Sequence, residues 1–233
     1  MANEVCSYTL EGNIAVVRMD DGKANALSEA MIDGLLDALA RAEKEASAMV
    51  LVGRPDRFCA GFDLRVMMSS PEAAKALLSR GADLLMKLYG APLPLVIACT
   101  GHAVAGGALV VLTGDVRIGA EGPYRIGLNE VSIGLPVPML AMELARDRLS
   151  PTELTNATLA ARIYTPEEAV RAGYLDAVVP ADAVLARAKE EATKLAGLAR
   201  KAYEQTKTRL RGKTIAYVRA GLEQDVKSLM LGT

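Results

Sequence analysis

Glu130 is the one carboxylate in the stretch YRIGLNEVSIGL (residues 124–135), with Ile126 and Leu128 before it and Val131 and Ile133 after it. A carboxylate so placed is either a solvated turn residue or a group held in an apolar pocket. In a pocket, desolvation favours its protonated form and suits it to taking and returning a proton. Two other stretches could serve such chemistry. In RFCAGFDL (57–64), Gly61 lets the backbone approach a ligand and leaves the following N–H free to point at it. A tight turn beside a buried Cys59 is the plainer reading of those residues alone. TGHAVAGGALVVLTGD (100–115) predicts the end of a strand, a loop of small residues, and an apolar helix opening at Gly106-Gly107. The unpaired N–H groups at a helix N-terminus suit a developing oxyanion. The alternative there is close helix–strand packing that needs residues without side chains. His102 is the sole histidine, no cluster of metal ligands surrounds it, and it reads as a structural loop residue, so no metal is expected. No Ser/His/Asp set can be completed around it, and no phosphate-cradling Walker loop is present.

The elements that must position these stretches follow from composition and punctuation. The chain has 233 residues, enough for one sizeable domain or a domain with a small helical appendage. Half of it is apolar, yet only 4% is aromatic and Trp is absent, so aliphatic side chains must build the core, which suits helices packed on buried strands. SYTL, the turn Glu11-Gly12-Asn13 and IAVVRM read as a hairpin within residues 5–19. Ser28 caps a helix whose apolar positions are Ile32, Leu35, Leu36 and Leu39. AMVLVG (48–53) and LVIAC (95–99) are short buried strands; between them Ser70-Pro71-Glu72 starts a helix that APLPL (91–95) stops. Ser150-Pro151-Thr152-Glu153 and Thr165-Pro166-Glu167-Glu168 each have the form of a capping box. A strand DAVVP (176–180) follows Ala172-Gly173, and from Asp182 the pattern is helical and charged, with Gly197 and Gly212 as expected interruptions. No repeat or linker divides the chain. The expectation is an α/β domain with a helical C-terminal region.

Charge and cysteine usage narrow the class. Lys plus Arg number 27 against 28 acidic residues, so no basic excess points to nucleic acid or an anionic membrane. The longest apolar runs are far short of a membrane span, and MANEVCSYTL lacks a basic-then-apolar signal pattern. Cys6, Cys59 and Cys99 are odd in number and widely spaced, as expected of free thiols in a reducing compartment. A soluble, cytoplasmic protein is expected.

In this order and spacing the stretches resemble the crotonase superfamily, that of the enoyl-CoA hydratases and isomerases, from about residue 5 to residue 180. KANALSEAM (23–31) is similar to the family's segment near the CoA pantetheine and phosphates. FCAGFDL is similar to its first oxyanion-hole segment, and HAVAGGALVVLTGDVRI to its second. The run from Ser150 to Pro180 is similar to its late helix–turn–helix–strand region. The resemblance implies a crotonase-like spiral of ββα units with two roughly perpendicular sheets over residues 1–180. A helical trimerisation region would fill 181–233, and the assembly would be a homotrimer or dimer of trimers. It implies an acyl-CoA thioester substrate in fatty acid metabolism, with coenzyme A part of the substrate and no separate cofactor. It also implies that the N–H groups of Phe62 and Gly106 bind the thioester oxygen. Ala60, Gly61, Asp63 and Leu64 would lie along the CoA arm with Ala24 near them, Gly107 and Leu109 would line the substrate site, and Glu130 would be the base.

The departures from the family refine this. Hydratases of the family carry two glutamates; the position of the first falls on Leu109 and that of the second on Glu130. The first glycine of the usual triplet is Ala105, and the final helical segment, ending at Thr233, is shortened. GLNE and AGGALVVLTGD are closest to the Δ3,Δ2-enoyl-CoA isomerase branch, which works with one glutamate. The implied activity is therefore transfer of a 3-enoyl-CoA double bond to the 2 position. Enoyl-CoA hydratase and a non-catalytic acyl-CoA-binding homologue are the alternatives.

Overall fold

A computed structural model describes residues 5–231, with side chains as far as Leu229. Residues 1–4, where the stretch read for a secretion signal begins, and residues 232–233, with the chain end Thr233, lie outside the described residues.

β1 (Cys6–Glu11) and β2 (Ile14–Met19) form the expected antiparallel hairpin, and α1 (Glu29–Glu45) follows, with the Ser28 hydroxyl accepting the Met31 N–H. Three units then repeat one plan of two strands and a helix. β3 (Ala48–Val52) and β4 (Asp56–Cys59) lead to α2 (Leu64–Met67) and α3 (Pro71–Tyr89). β5 (Leu95–Cys99) and β6 (Gly101–Val104) lead to α4 (Gly106–Thr113), and β7 (Val116–Ala120) and β8 (Ile126–Gly127) lead to α5 (Met139–Arg148). The first strand of each pair enters a six-stranded sheet of order β1-β2-β3-β5-β7-β9, where β9 is Ala177–Val179. The second enters a three-stranded parallel sheet, β4-β6-β8. α6 (Leu154–Thr158) and α7 (Pro166–Ala172) precede β9, and α8 (Val184–Ala196) and α9 (Arg200–Leu231) follow it.

Burial on both faces of the large sheet explains why its strands read as unbroken apolar runs. Met49 and Leu51 of β3 pack with α1, α3 and α4. Val50 and Val52 face the other way, into a cluster with Val184, Ala188 and Ala192 of α8. Position 180/181 is therefore not a packing boundary, because the first helix of the 181–233 region covers the back of the large sheet. α9 instead packs across α3 and α5. Lys207 Nζ donates to Leu93 O (2.9 Å) and Asp115 Oδ2 (2.6 Å), and Arg211 donates to Tyr89 O (2.8 Å) and lies 3.0 Å from Asp115 Oδ1.

Three local expectations are corrected. The small-residue loop before Gly106 is the strand β6; four residues with Gly and His among them carry too little apolar signal to show it. Ser150-Pro151-Thr152-Glu153 forms a turn without a capping box, because the Glu153 carboxylate is taken by the Tyr164 hydroxyl at 3.0 Å. The second candidate is a true box: Glu168 N donates to Thr165 Oγ1 and Thr165 N to Glu168 Oε2. Gly197 ends α8 as expected, but Gly212 does not interrupt α9. A helix-interior glycine costs only about 1 kcal/mol, and the buried anchors Lys207 and Arg211 just before it outweigh that. Among the described residues no helix is long and apolar enough to cross a membrane. Cys6, Cys59 and Cys99 are buried and form no disulfide.

Candidate active site

The first wall of the site is built by a polar turn. The Asp21 carboxylate accepts the N–H groups of Lys23 (2.7 Å) and Asn25 (2.9 Å). Asn25 sits at φ +52°, a left-handed conformation that Asn tolerates. Its buried amide donates to Met19 O (3.0 Å) and Phe58 O (3.2 Å), stitching the loop that carries Ala24 to β4. Ala60 N then donates to Ala24 O at 3.1 Å, and Leu27 pairs with Phe62 as a parallel bridge. That bridge uses Gly61 O (2.8 Å from Leu27 N) and Asp63 N (3.3 Å from Leu27 O), so the N–H of Phe62 itself points away from Leu27. The Phe62 ring is wedged between two helices. A Cβ at Gly81 of α3 would lie 2.2 Å from its Cε1, and one at Gly106 of α4 would lie 3.2 Å from its Cδ2.

The second wall is the start of α4. Ala105, at φ +49° and ψ −126°, turns the chain out of β6 into the helix. Such a backbone costs a residue with a side chain about 1–3 kcal/mol. Its N–H bonds Gly127 O (3.0 Å), which leaves Gly106 N–H as the first orphan donor of the helix. Gly61, at φ +91°, closes the gap between the walls: a Cβ there would stand 3.1 Å from Gly106 N. Among the described residues neither Phe62 N–H nor Gly106 N–H meets an acceptor. Two unpaired amides on touching segments are what an oxyanion site requires. Gly107 serves packing instead, since a Cβ there would fall 1.9 Å from Cys59 O.

Glu130 precedes the 3-10 turn Val131–Ile133, and its carbonyl accepts the N–H groups of Ile133 (3.1 Å) and Leu135 (3.0 Å). Its side chain is buried, at 7% exposure, and Oε2 has no hydrogen-bond partner among the described residues. Burial pushes its pKa above the ordinary carboxylate value, against the pull of the Asn129 and Glu130 N–H groups. The source of that burial differs from the expectation. Val131 and Ile133 are turned outward, at 42% and 56% exposure, and it is Ile126 and Leu128 that are buried.

A narrow apolar cavity of about 40 Å³ brings Phe62 and Leu109 together with Leu85, Leu140, Leu222 and Leu229. Glu130 is not on its wall. It follows Gly127, whose carbonyl holds Ala105 beside Gly106. Of the residues expected along a CoA arm, Ala24 and Ala60 are in contact, and Ala60 and Leu64 are exposed. The Asp63 carboxylate caps α2 by accepting Arg65 N at 2.9 Å. His102 is structural as read: its Nδ1 accepts Arg125 N (3.0 Å), its ring meets the Tyr124 edge, and burial lowers its pKa. Asn25 and Gly81 were not anticipated as site-building residues. Their signals were an Asn inside a polar turn and a lone Gly inside an apolar helix, which implies close approach by a neighbour.

The sequence model of the enoyl-CoA hydratase/isomerase family matches residues 9–230. Human mitochondrial enoyl-CoA delta isomerase 1 is 29% identical over 222 residues, covering 93% of this chain and 74% of that protein. An apo structure of a Mycobacterium tuberculosis enoyl-CoA isomerase superposes with a TM-score of 0.92 at 37% identity, covering 97% of this chain and 98% of that one. The structure of an enoyl-CoA hydratase from Mycobacterium ulcerans does so at 0.91 and 37%, covering 98% and 99%. Identity alone thus does not separate the two reaction names. The match of the family model over residues 9–230 and the shared ββα spiral show that the chain belongs to the enoyl-CoA hydratase/isomerase family of the crotonase superfamily.

Proposed function

We propose that the chain moves the double bond of a 3-enoyl-CoA thioester to the 2 position with Glu130 as its one base. The observation that carries this reading is a buried Glu130 whose Oε2 has no hydrogen-bond partner among the described residues; the family resemblance adds that Leu109, an apolar cavity-lining residue, falls where hydratases carry their other glutamate. The thioester oxygen would accept the N–H groups of Phe62 and Gly106. Glu130 takes a proton from C2, and the C–H electrons move into a dienolate whose charge rests on that oxygen. Loss of either donor would cost about 3–4 kcal/mol of transition-state stabilisation. The protonated Glu130 then returns the proton to C4, and the electrons settle as the C2–C3 double bond. No water is activated, so no second carboxylate is needed, and the apolar side chain of Leu109 disfavours hydration of the product. Assembly as a homotrimer or a pair of trimers belongs to the same reading.

One observation stands on the side of hydration. Asp225 of α9 also lines the cavity, but its Oδ2 is engaged by Met139 N at 2.9 Å. Product analysis on cis- and trans-3-hexenoyl-CoA and on crotonyl-CoA decides between the reactions. The expected result is 2-enoyl-CoA from the first two and negligible 3-hydroxyacyl-CoA from the third; faster hydration than isomerisation overturns the reading. Exchange of the C2 protons with deuterated water tests catalysis against mere binding, since a pure binder exchanges none.

A further inference from the structure

α9 supplies part of the wall of the apolar cavity. Leu222, Asp225, Val226 and Leu229 of that helix line it together with Phe62 and Leu109. Two contacts hold this end wall against α5. Gly221 has no side chain, and a Cβ there would fall 2.4 Å from Met139 Cε, so α9 lies directly on the first turn of α5. One turn later Asp225 Oδ2 accepts the N–H of Met139, the first residue of α5, at 2.9 Å. Pro138 at the N-cap offers no side-chain acceptor, so Asp225 supplies the cap of α5 from another helix. The space in front of this wall is small, about 40 Å³, against roughly 150 Å³ for an apolar cavity that takes up benzene.

We infer that α9 is an end stop for the acyl chain, that the site takes short unbranched acyl groups, and that Asp225 is a specificity-determining residue because it holds the stop in place. The inference rests on the acyl-CoA reading above. A chain that passes the wall has to part α9 from α5. It then strips Met139 N–H of its acceptor and lays methylenes against a carboxylate, both unfavourable. Burial raises the pKa of Asp225, in keeping with a carboxylate set among Leu222, Val226 and Leu229.

The test is calorimetric binding of saturated acyl-CoAs, from butyryl through hexanoyl and octanoyl to dodecanoyl, which needs no turnover. For the wild type, affinity should rise about four-fold per added methylene while the chain fills the cavity, then level or fall. Leu229→Ala should move the break to longer chains, and Leu222→Ala serves if that variant does not fold. Asp225→Ala should blur the break, whereas Asp225→Asn, which keeps an acceptor for Met139 N–H, should restore it. A steady rise through dodecanoyl-CoA in the wild type, or a break unmoved by Asp225→Ala and by the leucine variant, overturns the end stop alone. Failure of butyryl-CoA and every longer thioester to bind overturns the acyl-CoA reading and the end stop with it.

Discussion

A group that takes a proton from carbon and gives it back must hold that proton with comparable ease in both directions. Glu130 meets the condition through burial, which raises its pKa and leaves Oε2 without a bond to break before it acts. Glu130→Gln should keep the fold and lower isomerase turnover by roughly 10²- to 10⁴-fold, the usual worth of a positioned base. Steady-state assay of the purified variant checks this, and near-normal turnover would place the base elsewhere. Two pH effects follow from the same raised pKa. Activity needs the ionised form, so kcat/KM should fall on the acid side with a midpoint above the ordinary carboxylate range. For stability the sign is opposite: the folded state disfavours the charge, so Glu130 weakens the fold as pH rises through its raised pKa and is harmless below its unfolded value. Glu130→Gln should therefore melt about 2–4 °C higher than the wild type at pH 8, the equivalent of about 1 kcal/mol, while at pH 4 the two should melt at the same temperature. Leu109→Glu should add a small, measurable hydration of crotonyl-CoA, with desolvation in the apolar cavity holding part of the new carboxylate protonated. A wild type that already hydrates crotonyl-CoA efficiently would show that Leu109 does not set the reaction. That Glu130 is buried rather than set on a solvated turn was legible in GLNE, but its surroundings were not. An alternation of apolar residues does not say which of them turn inward, and the 3-10 turn after Glu130 sends Val131 and Ile133 outward.

Among elements, the junction of β6 with α4 holds most of the strain near the site. Ala105 occupies a backbone region natural to glycine, and Gly107 touches β4 so closely that no side chain fits. Substitutions at the two positions should therefore act in opposite directions. Ala105→Gly relieves the backbone cost but frees the unfolded chain, for a net gain of about 0.5–2 kcal/mol. Gly107→Ala drives a methyl into the Cys59 carbonyl, which cannot retreat without moving β4, and should cost about 1–3 kcal/mol or more. Denaturant titration of the two variants gives both signs at once; equal stabilities would contradict this account of the junction. The opening of α4 at Gly106-Gly107 was legible because glycines before an apolar run mark a helix start. The strand before it was hidden by its brevity. Ser150 to Glu153 misled for a different reason: its residue types suit a capping box, but Tyr164, distant in sequence, takes the carboxylate.

At the scale of the whole molecule, alternating strand and helix signals were enough for an α/β domain, but the split of each strand pair between two sheets was not in the periodicity. β4, β6 and β8 are too short to show a period, and only the resemblance to relatives implied them. Long-range packing also decides which apolar residues remain for association. The stretch VLARAKEEATKLAGLA looks like an oligomer surface, yet Val184, Ala188 and Ala192 are spent against the back of the large sheet. On α9 the exposed large apolar side chains are Leu210 and Tyr217, at 72% and 59% exposure, among the described residues. Two helical turns separate them, so they share one stripe of the helix, opposite in purpose to the buried anchors Lys207 and Arg211. If the chain assembles as its relatives' resemblance implies, this stripe is the place to expect a neighbouring copy. Light scattering at micromolar concentration should then report three or six times the chain mass of 24.6 kDa. Leu210→Glu combined with Tyr217→Glu should lower that mass while leaving the helical circular dichroism unchanged, because both side chains lie outside the monomer's core. A wild-type mass of one chain would contradict assembly, and an unchanged oligomer in the double variant would move the interface to another face.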